Sequence, residues 1–132
     1  DTQCGRDPEE FQHVLRSHLT GADLKRMRLG LGTTLLLDSG YFGFDKGAGF
    51  HGYLEQWWFP EYDADLGLPK GEYQQSDDGT YIRRFDNGTV VVNPTGSCRT
   101  TRMESSHRDV TSNASGLEFM LPPEDAMILI EV

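Results

Sequence analysis

The chain has 132 residues, enough for one domain around a single core, and its 36% hydrophobic content with 15 glycines is that of a globular chain rather than a disordered one. Twelve basic residues against 21 acidic ones give a net charge of −9, which argues against a nucleic-acid partner, because phosphate-backbone binders carry clustered Lys and Arg. The same balance disfavours an anionic membrane surface, and the longest apolar runs, at 33–37 and 126–130, fall far short of a bilayer span.

The first residues, DTQCGRDPEE, lack the basic and apolar parts of a signal peptide. Cys4 and Cys98 are the two cysteines, so one disulfide is open to the chain, subject to geometry. Asn87-Gly88-Thr89 and Asn113-Ala114-Ser115 fit the glycosylation pattern, whereas proline blocks Asn93-Pro94-Thr95. The cysteines and sequons lean toward an extracellular or exported protein, while the missing signal leaves the chain mature, truncated or cytoplasmic, so the localisation stays open.

Asp7-Pro8-Glu9-Glu10 predicts a helix start, with Asp7 as cap, proline at the first helical position and acids in the first turn. Phe11, Val14, Leu15 and Leu19 then share one face, and the helix is expected to stop near Thr20-Gly21. His13 and His18, five residues apart, do not share a helical face as a metal pair would require. A second helix is predicted from Ala22 or Asp23 to about Leu37, with Leu24, Met27, Leu31 and Leu35 on one face and Leu29 and Leu36 widening it. Gly30 and Gly32 cost roughly 1 kcal/mol each inside a helix, which is reasonable if another backbone comes close there.

The stretch 38–66, DSGYFGFDKGAGFHGYLEQWWFPEYDADL, mixes aromatic rings with carboxylates more densely than any other part of the chain. A core segment alone would not carry so many acids. Flat rings beside hydrogen-bonding acids suit a sugar, whose C–H face stacks while polar groups read its hydroxyls. Tyr41, Phe44, Asp45, His51, Trp57, Trp58, Tyr62 and Asp63 are the candidate ligand-binding residues. The competing reading is a buried aromatic cluster with solvated acids around it. Residues 40–45 alternate and are aromatic, so they are read as a short strand ending at Asp45.

Glu61, Asp63 and Asp65 alternate hard oxygen ligands but lack the glycine and distal glutamate of a calcium loop, so no metal site is assigned. Lys46-Gly47-Ala48-Gly49 lacks the lysine-serine pair of a phosphate loop, and no cofactor is expected. Ser105, Ser106, His107 and Asp109 contain the residue types of a hydrolase triad, but triads assemble from distant segments, and this cluster is read as a polar loop.

From Lys70 the character changes to β. Asp77-Asp78-Gly79 marks a turn, 81–85 a strand, Asp86-Asn87-Gly88 a hairpin turn and 89–93 a strand of valines. A third strand is predicted around 98–103, a polar loop over 104–116, and two closing strands at 117–121 and 126–132 around Pro122-Pro123-Glu124-Asp125. Two units are therefore expected: 1–69 with the helices and the aromatic stretch, and 70–132 as an antiparallel β unit.

Four blocks, MRLGLGTTLLLDSGYFGFD, QWWFPEYDADLGLP, YIRRFDNGTVVVNPT and LPPEDAMILIE, resemble in order the end of the catalytic barrel and the following β domain of a glycoside hydrolase-like family. The match covers about residues 22–132. The resemblance implies that 23–37 is the last barrel helix, that 40–45 is the last barrel strand, and that the aromatic stretch is the sugar-facing loop, with Asp45 at the strand tip. It also implies barrel strands ahead of Asp1, since a complete barrel needs about 250 residues.

Two carboxylates on different strands are needed for glycoside hydrolysis, so no catalytic residue is assigned and the isolated chain is expected to be inactive. The expected fold is α+β: two N-terminal helices packed on a small antiparallel β-sandwich, resembling the end of a (β/α)8 barrel followed by its C-terminal β domain. The expected function is that of a carbohydrate-associated C-terminal portion of such a hydrolase. The alternative is a non-enzymatic module that binds carbohydrate or protein through 41–62. Without barrel neighbours, the helix at 23–37 is expected to fold back on the β unit or to support self-association.

Overall fold

The computed structural model describes residues 21–37 and 60–132. Within them the chain is α+β, with one helix, α1 (Gly21–Leu35), a short 3-10 turn (Pro60–Asp63) and six strands. The strands are β1 (Gln74–Gln75), β2 (Tyr81–Phe85), β3 (Gly88–Asn93), β4 (Arg99–Asp109), β5 (Ser115–Leu121) and β6 (Asp125–Glu131). They form one sheet of order β1-β2-β3-β6-β4-β5, antiparallel at every pairing. The helix predicted at 7–20 and the barrel-type strand predicted at 40–45 lie outside the described residues.

The centre of the sheet follows from two runs that do not alternate. GTVVVN in β3 is buried at every position, and DAMILIE in β6 is buried over its first five. A strand that is apolar on both sides needs cover on both faces, so these two belong in the middle. They pair with each other from Gly88↔Ile130 to Asn93↔Asp125. Val90 and Ile128 face each other across the pair, as do Val92 and Ala126, and with Leu36, Leu66 and Phe85 they make the core on the helix side. Val91, Met127 and Leu129 make a second core on the opposite face with Met103, Phe119 and Leu121.

Those last three residues come from β4 and β5, so that end of the sheet curls over its own face. The bend lies in β4. Its first residues pair only with β5, from Arg99↔Leu121 to Arg102↔Glu118, and only His107 to Asp109 pair with β6. A register shift separates Arg102 from His107, and a bulge of this kind bends a strand and sharpens its twist.

Two expectations are corrected here. Among the described residues α1 packs on one continuous six-stranded sheet rather than on a small β-sandwich, because β4 and β5 cover the second face without leaving the sheet. The polar stretch 104–116 is mostly strand, with the turn confined to the residues between β4 and β5. Its Ser, Glu and Arg side chains are exposed or half-buried while Met103, His107 and Asp109 are buried, so the alternation there is carried partly by polar residues and does not read as a hydrophobic period.

Helix α1 sets Gly32 against the sheet, with Leu29, Leu31 and Leu35 packed on the helix-side core and Leu36, just past the helix end, inside it. Leu24 and Met27 are also buried, and Leu24, Met27, Leu31 and Leu35 keep the spacing of three and four of a one-sided helix. Its face is taken up by β3 and β6, as expected for a helix folding back on the β unit. Gly32 is the point of closest approach. A Cβ there would lie 2.7 Å from the Ala126 Cβ and 3.0 Å from the Val92 Cγ2. Gly32→Ala therefore gains about 1 kcal/mol in helix propensity but forces an overpacked contact that costs about 1–3 kcal/mol. We expect a net loss of about 1 kcal/mol in urea unfolding; a variant more stable than the parent would refute the close approach.

The buried face of α1 also carries a charge. Arg28 forks onto Asp125 at the start of β6, with Nε donating to Oδ1 at 2.8 Å and Nη2 to Oδ2 at 3.0 Å. Both side chains are almost wholly buried, at 7% and 2% exposure. Asp125 Oδ1 also accepts from the Ala126 amide at 2.8 Å. The pair fixes the helix to the central strand at a defined register.

Candidate functional site

Of the candidate ligand-binding residues, Tyr41, Phe44, Asp45, His51, Trp57 and Trp58 lie outside the described residues. Tyr62 and Asp63 lie in the 3-10 turn Pro60–Asp63. The described residues on either side of the stretch are anchored to the sheet.

On the leading side, Arg83 is the anchor. It sits on β2 with Tyr81 and Phe85, whose parity points toward the helix-side core. Only 4% of it is exposed. Its Nη1 donates to the carbonyls of Leu35 at 3.3 Å and Leu37 at 2.9 Å, and its Nε donates to the Gly71 carbonyl at 2.8 Å. The last carbonyls of a helix have no partner within it, and a cation there also complements the helix dipole. Its guanidinium lies 5.5 Å from the centre of the Phe85 ring, within reach of a cation–π contact.

On the trailing side, a side-chain hydrogen bond, a buried leucine and backbone hydrogen bonds tie the chain down. The Thr111 hydroxyl, in the turn between β4 and β5, donates to the carboxylate of Glu61. Leu66 is buried in the helix-side core. Beyond it, the Leu66 carbonyl accepts from the Asn87 amide at 2.8 Å and the Leu68 carbonyl from the Asp86 amide at 2.8 Å. The Lys70 amide donates to the Arg84 carbonyl at 2.9 Å. Both flanks are thus held by the β2–β3 hairpin, the leading one through a side chain and the trailing one mainly through the backbone.

The acids at 61–65 do not converge. Glu61 is buried against Thr111, while Asp63 and Asp65 are exposed. Tyr62 is half-buried; burial pushes its phenol above the usual range, and the Glu61 carboxylate adds to the effect. No group of three or more His, Cys, Asp or Glu among the described residues can hold a metal ion. Asp109 accepts from the Thr111 amide at 3.1 Å and the Ser112 hydroxyl at 2.9 Å, a turn-forming role.

The residue types of a hydrolase triad at 105–109 are likewise engaged elsewhere. The Ser105 hydroxyl donates to Glu131 at 3.1 Å, and His107 Nδ1 meets the Ser105 carbonyl at 2.8 Å. Cys98 is disulfide-bonded, and Cys4, the chain's other cysteine, lies outside the described residues.

Sequence reasoning missed Arg83, Arg28 and Asp125. For Arg83 a signal existed: in YIRRF it shares the inward parity of Tyr81 and Phe85, whereas Arg84 does not. The fold and these anchors define a helix-on-sheet α+β domain that holds the ends of an aromatic and acidic stretch. No protein-family model, curated protein or solved structure matches the chain.

Proposed function

We propose that this chain is a non-catalytic carbohydrate-binding module, the carbohydrate-associated C-terminal portion of a glycoside hydrolase-like protein. One observation carries the reading: the residues flanking the aromatic stretch on both sides, Leu35 and Leu37 before it and Glu61 to Leu68 after it, are fastened to the same sheet. Binding residues are disproportionately found on loops whose ends a rigid scaffold fixes. Such a frame reduces the ordering cost that a free loop incurs when it closes on a ligand.

In this reading Trp57 and Trp58 supply stacking faces for a sugar ring, with Tyr41, Phe44 and Tyr62 widening the platform. Asp45, Asp63 and His51 accept or donate hydrogen bonds to the hydroxyls. Hydrolysis needs a second carboxylate at about 5 Å, or at about 6.5–9.5 Å with a water between. A barrel supplies such acids from several strands, and in this reading the stretch offers Asp45 from one of them. The disulfide at Cys98 supports an oxidising, exported setting.

The test is a glycan array probed with the whole chain and with Trp57→Ala/Trp58→Ala. The parent is expected to bind and to leave the glycosides uncleaved, and the variant to lose about tenfold or more in affinity with an unchanged far-ultraviolet circular dichroism spectrum. Equal binding by both proteins would refute the role of the aromatic stretch, and turnover by the parent would refute the non-catalytic reading.

A further inference from the structure

The sheet face opposite α1 carries a separate cleft. Arg83 points toward the helix, so its neighbours Ile82 and Arg84 point the other way, and Gln74 joins them because it pairs with Ile82 in register. The cleft they floor has a volume of about 270 Å³, and Lys70, Glu72 and Gln75 stand around it. One wall is backbone held at both ends of a dipeptide: the Lys70 amide donates to Arg84, and the Gly71 carbonyl accepts from Arg83 Nε. Its shape is therefore set by the same hairpin that anchors the flanks of the aromatic stretch.

The charge of the cleft runs against that of the chain. In a protein with a net charge of −9, it gathers two cations, Lys70 and Arg84, against one acid, Glu72. The described ion pairs, Arg26–Asp23, Arg28–Asp125 and Arg102–Glu118, involve none of the three. Two cations without an ion pair among the described residues, beside the Gln74 amide and an aliphatic floor, match a ligand with one carboxylate, hydroxyls and a C–H face.

We infer that this cleft binds an acidic sugar, one uronic-acid residue of an oligosaccharide. The Arg84 guanidinium forks onto the sugar carboxylate while Lys70 adds a point charge. Gln74 exchanges hydrogen bonds with a ring hydroxyl, Glu72 accepts from another, and Ile82 takes the apolar edge of the ring. Glu72, an acceptor only when ionised, also disfavours sulfate, a compact dianion that has no proton to offer it at neutral pH. The volume falls just under the ~300–1,000 Å³ of sites for drug-sized ligands, which fits one ring rather than a chain of them. The ligand class rests on the carbohydrate reading above, but the site does not use Trp57 or Trp58.

The test is calorimetric titration of the whole chain with digalacturonic acid, its doubly methyl-esterified form and sodium sulfate. It is repeated with Lys70→Gln/Arg84→Gln and with Trp57→Ala/Trp58→Ala. Lys70 and Arg84 are exposed, so their variant is expected to keep the parent's unfolding midpoint. The acid should bind at least about tenfold more tightly than its ester, and the Lys70/Arg84 variant should lose that difference. Retention of the difference by that variant, or equal affinity for acid and ester in the parent, would overturn the inference. Loss of acid binding only in the tryptophan variant would also overturn it while leaving the aromatic reading standing. Acid binding lost only in the Lys70/Arg84 variant would uphold the cleft even if the glycan array fails. Sulfate displacing the acid at comparable concentration would reduce the site to a general anion site and overturn the sugar assignment.

Discussion

Replacing Asp125 by alanine is expected to remove about 3–5 kcal/mol of folding stability, because it leaves the Arg28 guanidinium buried without its counter-charge. The two side chains are 7% and 2% exposed and meet through two parallel hydrogen bonds, so water cannot replace the lost carboxylate without opening the contact between α1 and β6. Arg28→Ala should cost a similar amount, since it leaves the Asp125 carboxylate buried without the Arg28 guanidinium. The pair as a whole need not be stabilising: replacing both charges by apolar groups of similar size is often neutral or better. Arg28→Met/Asp125→Leu is accordingly expected to be more stable than either single variant. Urea unfolding followed by tryptophan fluorescence measures all four proteins. Losses under about 1 kcal/mol for the single variants, with an unchanged denaturant slope, would show that the pair is solvated.

Gly88→Ala is the second large effect, and its cause is space. Gly88 pairs with Phe85 to close the β2–β3 hairpin and with Ile130 in the centre of the sheet. A Cβ there would lie 2.2 Å from the Leu129 carbonyl oxygen, 3.0 Å from the Leu66 Cδ2 and 3.2 Å from the Ile130 Cα. A flexible side chain could move away, but the first and last of these atoms are backbone of the central strand. The hairpin itself must shift. We expect a loss of about 3 kcal/mol, at the top of the usual range for overpacking.

The same shift would disturb the Asn87–Leu66 and Asp86–Leu68 hydrogen bonds, so glycan binding should weaken along with stability. Gly96→Ala is the control, because nothing lies within 4 Å of a Cβ at that position, and it should stay within about 0.5 kcal/mol of the parent. A Gly88→Ala protein as stable as the Gly96→Ala control would refute the packing argument.

Gly88 also illustrates what could be read in advance. The Asp86-Asn87-Gly88 signal marks the hairpin correctly, yet the two turn residues are Asp86 and Asn87, with Gly88 opening β3. Neither turn residue has a positive φ, as the type I′ turn that makes Asn-Gly a hairpin signal would require. The glycine is needed for the room it leaves beside β6. Similarly, the position of Gly32 in an otherwise good helix pointed to a close neighbour, and Ala126 is that neighbour.

The sequence by itself determined the local elements: the helix from its three-and-four apolar spacing, β2 and β3 with the turn between them, and β5 and β6 around the Pro122-Pro123 turn. These are short-range properties, carried by periodicity and by the backbone limits of glycine and proline. Tertiary structure alone decided that β3 lies beside β6, that β4 runs on through a polar stretch and curls over the sheet, and that Arg28, Arg83 and Asp125 are interior residues. A strand's neighbour is chosen by which distant surface covers it, and a charge can be buried only where its partner is delivered to it. Neither fact is written in the residues on either side of the position concerned, so both become visible only once the chain has folded.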